Sequence, residues 1–312
     1  MAVVINTNVD SLKIQSLLTN STSKMSTSMQ KMSSGLKILS AKDDAAGTVI
    51  SAKMQVQLNG NKIAQNNVQN ANALLSTAEG NLDVVQDNIT RIRDLTLQAK
   101  NGTYSEEEIK AMQDEVDQRI QEIDRVSDSA KYSSLKLFGE AGGLADNGAT
   151  FQVGADAGTA NTISADSSLF KSVHFSALSG LDNFSLTMLN KKNSTAGGGT
   201  AITFTDAKHT TSLTGTPARE AYFDAAIESL DSAIKDITDR KSIIGSAGNR
   251  MDSALSTLTT QYENLSSAKS IITDADIASE ASNFTQQQIL QQVSTSLLAQ
   301  ANQAPSIALS LI

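Results

Sequence analysis

The sequence predicts a mainly α protein: a long antiparallel, coiled-coil-like helical rod built from both chain ends, with a small β-rich excursion in the middle. Three observations carry this expectation. Toward both ends, apolar residues recur at alternating three- and four-residue steps, the spacing of a helical seam. Residues 283–312 hold no charged side chain, although charged residues make up 19% of the chain. Eleven of the eighteen glycines fall between Gly139 and Pro217, where helix gives way to turn chemistry.

Composition narrows the function classes. A chain of 312 residues accommodates two or more domains. Its net charge of −8 supplies no basic patch for a nucleic-acid backbone. With no cysteine, thiol catalysis, disulfides and Cys-bearing metal sites are excluded. The opening Met1-Ala2-Val3-Val4-Ile5-Asn6 lacks the basic segment and apolar core of a secretory signal, so export would take another route. Aromatic residues are only 4% and Trp is absent, which points to thin helix-on-helix packing.

In residues 1–43, Leu18, Met25, Met32 and Leu39 lie seven apart, with Met29 and Leu36 interleaved. Their Ser- and Thr-rich neighbours are poor helix formers, so this helix needs a partner to fold. The heptad breaks at Ser40-Ala41-Lys42-Asp43-Asp44-Ala45-Ala46-Gly47, where a capping residue followed by acids suits a new first turn. The adjacent carboxylates make a poor acid/base or cation pair, because neighbouring side chains diverge on a helix. Val68, Ala71, Leu75, Ala78, Leu82, Val85, Ile89 and Ile92 then form a continuous seam. A single helix over 44–100 would be roughly 85 Å long at 1.5 Å per residue. Asn101-Gly102-Thr103 reads as its stop, and Ser105-Glu106-Glu107-Glu108 as the capped, acidic start of another helix with the stripe Ile109, Met112, Val116, Ile123 and Val126.

Residues 140–217 read as a β-rich excursion on the outside of the helices. Phe151-Gln152-Val153, Val173-His174-Phe175, Phe184-Ser185-Leu186-Thr187-Met188 and Ile202-Thr203-Phe204 are expected as short strands. His174 and His209 lie here without an acid or nucleophile at a recognisable spacing. The many hydroxyls could carry O-linked sugar, though ordinary loop composition accounts for them as well. Helix returns over 218–273, with Phe223, Ile227, Leu230, Ile234, Ile237, Ile244, Met251, Leu255, Leu258, Tyr262, Leu265 and Ile272 in phase. In 274–312, Leu290, Val293 and Leu297 form a stripe that Ile289, Leu298 and Ala301 widen, with Pro305 expected to stop the helix. Glutamines interrupt the apolar run too often for a membrane span. An amphipathic helix whose polar face is amide and hydroxyl suits a packed assembly, since such groups are buried without the cost of unpaired ions.

These residues resemble bacterial flagellin. The likeness rests on Ile5-Asn6-Thr7-Asn8, Ser33-Ser34-Gly35-Leu36-Lys37-Ile38, Asp43-Asp44-Ala45-Ala46-Gly47, Thr77-Ala78-Glu79-Gly80, Arg91-Ile92-Arg93-Asp94-Leu95 and Glu122-Ile123-Asp124-Arg125. Near the other end it rests on Gly248-Asn249-Arg250, Asn264-Leu265-Ser266, Asp274-Ala275-Asp276, Gln288-Ile289-Leu290-Gln291-Gln292 and Leu298-Ala299-Gln300-Ala301-Asn302-Gln303. It covers about residues 1–140 and 218–312; the middle differs widely among flagellins. Tyr132-Ser133-Ser134 stands where the family often has an aromatic followed by Asn-Gly.

The resemblance implies a structural subunit of the extracellular flagellar filament, exported without a cleaved signal peptide and serving swimming motility. It implies that 1–43 and 274–312 form inner assembly helices, 44–139 and 218–273 the rod, and 140–217 a variable exposed region. Leu18, Met25, Met32, Leu39, Ile289, Leu290, Val293, Leu297 and Leu298 are the candidate self-assembly residues. The implied partners are further copies of the protein, the flagellar cap and hook-associated junction proteins, an export chaperone over the tail, and the host toll-like receptor that senses flagellin. For that receptor Arg91, Leu95 and Glu115 match the family, with Thr90 in a position often held by Gln. No cofactor, nucleic acid or membrane partner is implied. The alternative is a minor component, either a hook-filament junction protein or a flagellin of one filament zone. A coiled-coil adhesin or secretion-apparatus filament would share the heptads but not the terminal motifs. For an enzyme there is no His-Glu-x-x-His, P-loop, G-x-S-x-G or dinucleotide fingerprint.

Overall fold

The computed structural model describes residues 8–139, 144–179, 202–203, 212–213 and 216–309. Four long helices dominate: α1 (Val9–Ser34), α2 (Ala45–Lys100), α6 (Thr216–Thr273) and α7 (Ile277–Leu309), with α3 (Glu106–Ser129) beside them in the sequence. Short elements fill the middle: β1 (Lys131–Tyr132), β2 (Leu135–Lys136), α4 (Leu144–Asn147), β3 (Ala149–Gln152), β4 (Thr162–Ala165), α5 (Phe175–Ser179), β5 (Ile202–Thr203) and β6 (Ser212–Leu213). Each successive strand pair is an antiparallel two-stranded ladder. The expected runs at Phe184–Met188 and at Phe204, and His209, lie outside the described residues.

The protein forms two compact units, one of residues 61–259 and one of residues 1–60 with 260–312. In the first of these, the α2 seam from Val68 to Ile92 is buried throughout, together with Ile109, Val116 and Ile123 of α3 and Phe223, Leu230 and Ile237 of α6. Each such side chain contributes about 1.5–3 kcal/mol. Where α2 ends, Ser105 and Glu108 cap α3 reciprocally: the Ser105 hydroxyl accepts from the Glu108 N–H, and the Glu108 carboxylate accepts from the Ser105 N–H at 2.7 Å.

Polar pairs along the flank of the seam record the register of α2 against α6. Asn72 donates to Asp252 at 3.0 Å, Lys241 pairs with Asp83, Arg93 with Asp231, and Lys100 with Asp224. From Asn72 to Lys100 the sequence advances by the same twenty-eight residues that separate Asp252 from Asp224, so the helices are antiparallel without a slip. Exposed pairs of this kind contribute about 0–1 kcal/mol each, so they specify alignment more than they stabilise it.

The middle segment departs from the expectation of an appended excursion. Leu137, Phe138, Leu169, Phe170, Val173 and Phe175 are buried in one cluster with the three helices, and Ile163 joins Val68 and Met251 in a second. Scarce aromatics are thus concentrated where the helices need a cover. Val173-His174-Phe175 is not a strand but the lead into α5. His174 also has acids that its spacing concealed: its Nδ1 lies 3.1 Å from Asp124 and its Nε2 3.5 Å from Asp128, both on α3. Asp128, bonded first to Lys136 and then facing His174, has its carboxyl held below the usual range. From α6, the buried Arg240 donates to the Lys171 carbonyl at 2.8 Å and pairs with Asp236.

Two further corrections concern helix ends. Leu39 lies beyond the end of α1, so the fourth member of its heptad is not helical. Pro305 does not stop α7, which runs on to Leu309. A proline there cannot donate to the carbonyl four residues earlier, that of Ala301. The Asn8 amide donates to that carbonyl at 2.8 Å, while its Oδ1 accepts from the Ser11 N–H and caps α1.

Because Phe170 closes the core, Phe170→Ala should cost about 3–5 kcal/mol in urea unfolding, whereas a merely attached segment would leave the midpoint unchanged. Ser133, between β1 and β2, has φ of 55°, a left-handed geometry that Asn tolerates better. Ser133→Asn should therefore raise stability by up to about 1 kcal/mol in the same assay.

Candidate assembly surface

The unit that gathers both termini is built differently. Helices α1 and α7 pack along each other, tied by Ser11 to Asn302 at 2.9 Å and by Gln291 to Thr22 at 3.3 Å. On these two helices the best-covered side chains described are serines: Ser21, Ser28 and Ser294 are each under a tenth exposed. Leu18, Met25 and Met32 on α1 and Leu298 on α7 are half-buried at the same three- and four-residue spacing. Other large apolar side chains turn away from this seam. Leu12 and Leu17 of α1 are 58% and 59% exposed; Ile289, Leu290, Val293 and Leu297 of α7 lie between 43% and 55%. Of the nine candidate assembly residues, four therefore line the intrachain seam, four face outward from α7, and Leu39 lies in the connection after α1.

Small residues let α1 and α7 approach, while their outer faces, uncharged on α7 beyond Asn283, retain apolar area that a free protein would normally cover. On α2 the same tendency appears at Val49, Ile50 and Val56, all exposed near its start. Among the described residues no helix is long and apolar enough to cross a membrane, and no cluster of acids and histidine suits a metal ion.

The turns leading from α1 and into α7 are joined by backbone. The Lys37 N–H donates to the Thr273 carbonyl at 2.7 Å, and the Ala275 N–H to the Gly35 carbonyl at 2.9 Å. Gly35 ends α1 in a left-handed conformation, φ 71°, that favours glycine. The neighbouring acids act as caps rather than as a catalytic pair. Asp43 accepts from the Leu39 and Ser40 N–H groups, and Asp44 accepts from Gly47 at 2.9 Å. The Ser40 N–H is the main cause that holds the Asp43 carboxyl below its usual range, and the Ser270 hydroxyl, then that of Thr273, does so for Asp274.

The four residues expected at a receptor contact are placed unevenly. Arg91 forks onto Glu115 at 2.8 and 3.1 Å, with Arg119 also facing that carboxylate. This pairing lowers the Glu115 pKa and raises that of Arg91. Thr90 is exposed and its hydroxyl donates to the Gln86 carbonyl, whereas Leu95 is buried in the core.

Long antiparallel helices, a closed three-helix core and a terminal helix pair with its apolar side outward define a structural subunit built for packing against others. The sequence matches the bacterial flagellin N-terminal helical region over residues 5–142 and the bacterial flagellin C-terminal helical region over 227–312. A flagellin of Serratia marcescens is 35% identical over the full length of both proteins, with 100% of each covered. One of Halalkalibacterium halodurans is 34% identical over 91% of this protein and 90% of its own length. A likeness of fold extends to a putative flagellar hook-associated protein from Vibrio parahaemolyticus, with TM-score 0.53 and 15% identity over 74% of this protein and 99% of that one. The chain belongs to the bacterial flagellin family. It is a structural subunit of the flagellar filament.

The caps at the turns generate a pH prediction. Asp43 and Asp274 have lowered folded pKa values, so their contribution is present above the unfolded value, about 3.9, and is lost as pH falls through the folded ones. Acidification below about pH 4 should speed amide exchange at residues 36–44 and 273–276. Asp43→Asn with Asp274→Asn should flatten that dependence; an unchanged acid response in the double variant would assign it to other groups.

Proposed function

We propose that the outward apolar stripes of α1 and α7 are the surfaces through which copies of this flagellin pack in the filament. The carrying observation is that the seam of the terminal helices is made of Ser21, Ser28 and Ser294 with Leu18, Met25, Met32 and Leu298, while Leu12, Leu17, Ile289, Leu290, Val293 and Leu297 stay outside. Eight side chains, Val9, Leu12, Leu17, Met29, Ile289, Leu290, Val293 and Leu297, are about half exposed. Covering them would contribute on the order of 10 kcal/mol. Association itself costs about 4–15 kcal/mol in lost freedom. One neighbour touching part of the stripe is therefore not enough, and several neighbours at once are. This favours cooperative growth of an open helix through heterologous contacts over a stable dimer.

On this reading residues 1–43 and 274–312 are the inner assembly segments, 44–139 with 218–273 the supporting helices, and 140–217 a variable region that faces solvent outside its buried Ile163, Leu169, Phe170, Val173 and Phe175. The uncharged face of α7 suits an export chaperone that covers it before assembly, and the filament's growing end and base would meet cap and hook-associated junction proteins. Secretion without a cleaved signal and recognition by a flagellin-sensing toll-like receptor belong to the same reading. Thr90, Arg91 and Glu115 offer polar contacts to that receptor, and Leu95 would support the surface from beneath. The role is structural and not catalytic.

Leu290→Ser, Val293→Ser and Leu297→Ser combined should leave the helical circular dichroism of the monomer intact while abolishing long filaments after seeding, read by sedimentation and negative-stain imaging. Filaments of normal length from that variant would overturn the assignment of these residues.

A further inference from the structure

The sequence contains three Asn-Gly steps, at Asn59-Gly60, Asn101-Gly102 and Asn147-Gly148, all equally open in an unfolded polypeptide to ring closure of the asparagine onto the glycine nitrogen. The fold treats them differently. Gly60 lies inside α2, where its N–H belongs to the helical ladder, and the Asn59 Oδ1 accepts from the Gln55 amide at 2.8 Å. The helix holds the nucleophilic nitrogen away from the asparagine Cγ, and leaving that geometry means opening the helix. The Gly148 N–H donates to the Leu144 carbonyl at 2.9 Å, and a Cβ at Gly148 would collide with the Ala165 carbonyl, so that backbone is both tied and walled in.

Asn101-Gly102 has neither restraint. It lies in the turn between α2 and α3, with Asn101, Gly102 and Thr103 all exposed. The Asn101 N–H is bonded to the Gln98 carbonyl at 3.1 Å, but among the described residues the Gly102 N–H has no partner. A Cβ at Gly102 would meet nothing within 4 Å, which leaves room for a five-membered ring and for the backbone rotation it needs.

We infer that Asn101 is a site of spontaneous modification, converted through a succinimide into aspartate and isoaspartate while Asn59 and Asn147 are protected by the fold. The Gly102 nitrogen gives its proton to solvent base and attacks the Asn101 Cγ. A new bond from Cγ to the Gly102 nitrogen closes the ring as the bond from Cγ to Nδ2 breaks, and Nδ2 leaves as ammonia. Water then adds to either ring carbonyl and opens it, so the net change is one water consumed and one ammonia released. Both products place a negative charge at the C-terminal end of α2, where the helix dipole disfavours it. That charge also competes with Asp224 for Lys100, the last residue of α2. The isoaspartate form adds a methylene to the backbone of the turn.

The test is peptide mapping by mass spectrometry of the full-length protein after prolonged incubation in mildly alkaline buffer, folded and in concentrated urea. In the folded protein Asn101 should convert at least about tenfold faster than Asn59 or Asn147, because local opening limits the other two. In urea the three rates should converge. Gly102→Ala, which the open space accommodates, should slow the conversion at Asn101 in the folded protein. The assignment is overturned if Asn59 or Asn147 keeps pace in the folded protein, if Asn101 stays intact there, or if Asn101 keeps its lead in urea, which would make local sequence and not the fold the selecting factor.

Discussion

Two helices cannot cover each other. A helix presents a full circumference of side chains, and a single partner covers only a narrow seam of it. In the unit of residues 61–259 the constraint is met internally: α3 and the aromatic residues of the middle segment close over α2 and α6, so Leu82, Ile89 and Ile237 lose all contact with solvent. In the unit containing the two termini α1 and α7 pack along each other and leave Leu12, Leu17, Ile289, Leu290, Val293 and Leu297 exposed.

The same constraint explains why the terminal seam is made of serine and methionine. With Leu290 and Leu297 outward, α7 keeps apolar area that its intrachain partner leaves uncovered. Small side chains at Ser21, Ser28 and Ser294 bring the helices together at little desolvation cost, because each hydroxyl can still bond to its own helix backbone. Absence of charge from residues 283–312 matters for the same reason: an ion buried in a packed apolar face would need a partner held in register. Where the helices do carry charge, as along α2 and α6, the pairs sit at the flank of an apolar seam and align it.

Caps and turns hold these surfaces in place. Asn8 serves two helices at once, capping α1 with its oxygen and meeting with its nitrogen the carbonyl that Pro305 leaves without a donor. Asp43 and Asp44, which invite a catalytic reading as adjacent acids, are used up by backbone N–H groups at the start of α2. Both cases show polar residues whose chemistry is spent on orphaned backbone groups.

The sequence by itself determined the long helices, the phase of their seams, the stop after Lys100 and the burial of Val68 through Ile92, because these depend on periodicity and local capping; it did not place the end of α1 at Gly35. Its terminal motifs also carried the likeness to flagellin. Only the tertiary structure decided which side of each terminal helix faces its neighbour, since a stripe such as Leu290, Val293 and Leu297 reads the same whether it points inward or outward. Only it placed Phe138, Phe170 and Phe175 in the helical core and Asp124 beside His174, contacts between residues far apart in sequence that no local pattern encodes. The continuation of α7 past Pro305 belongs to the same class, for the donor that repairs the lost bond comes from the opposite end of the polypeptide.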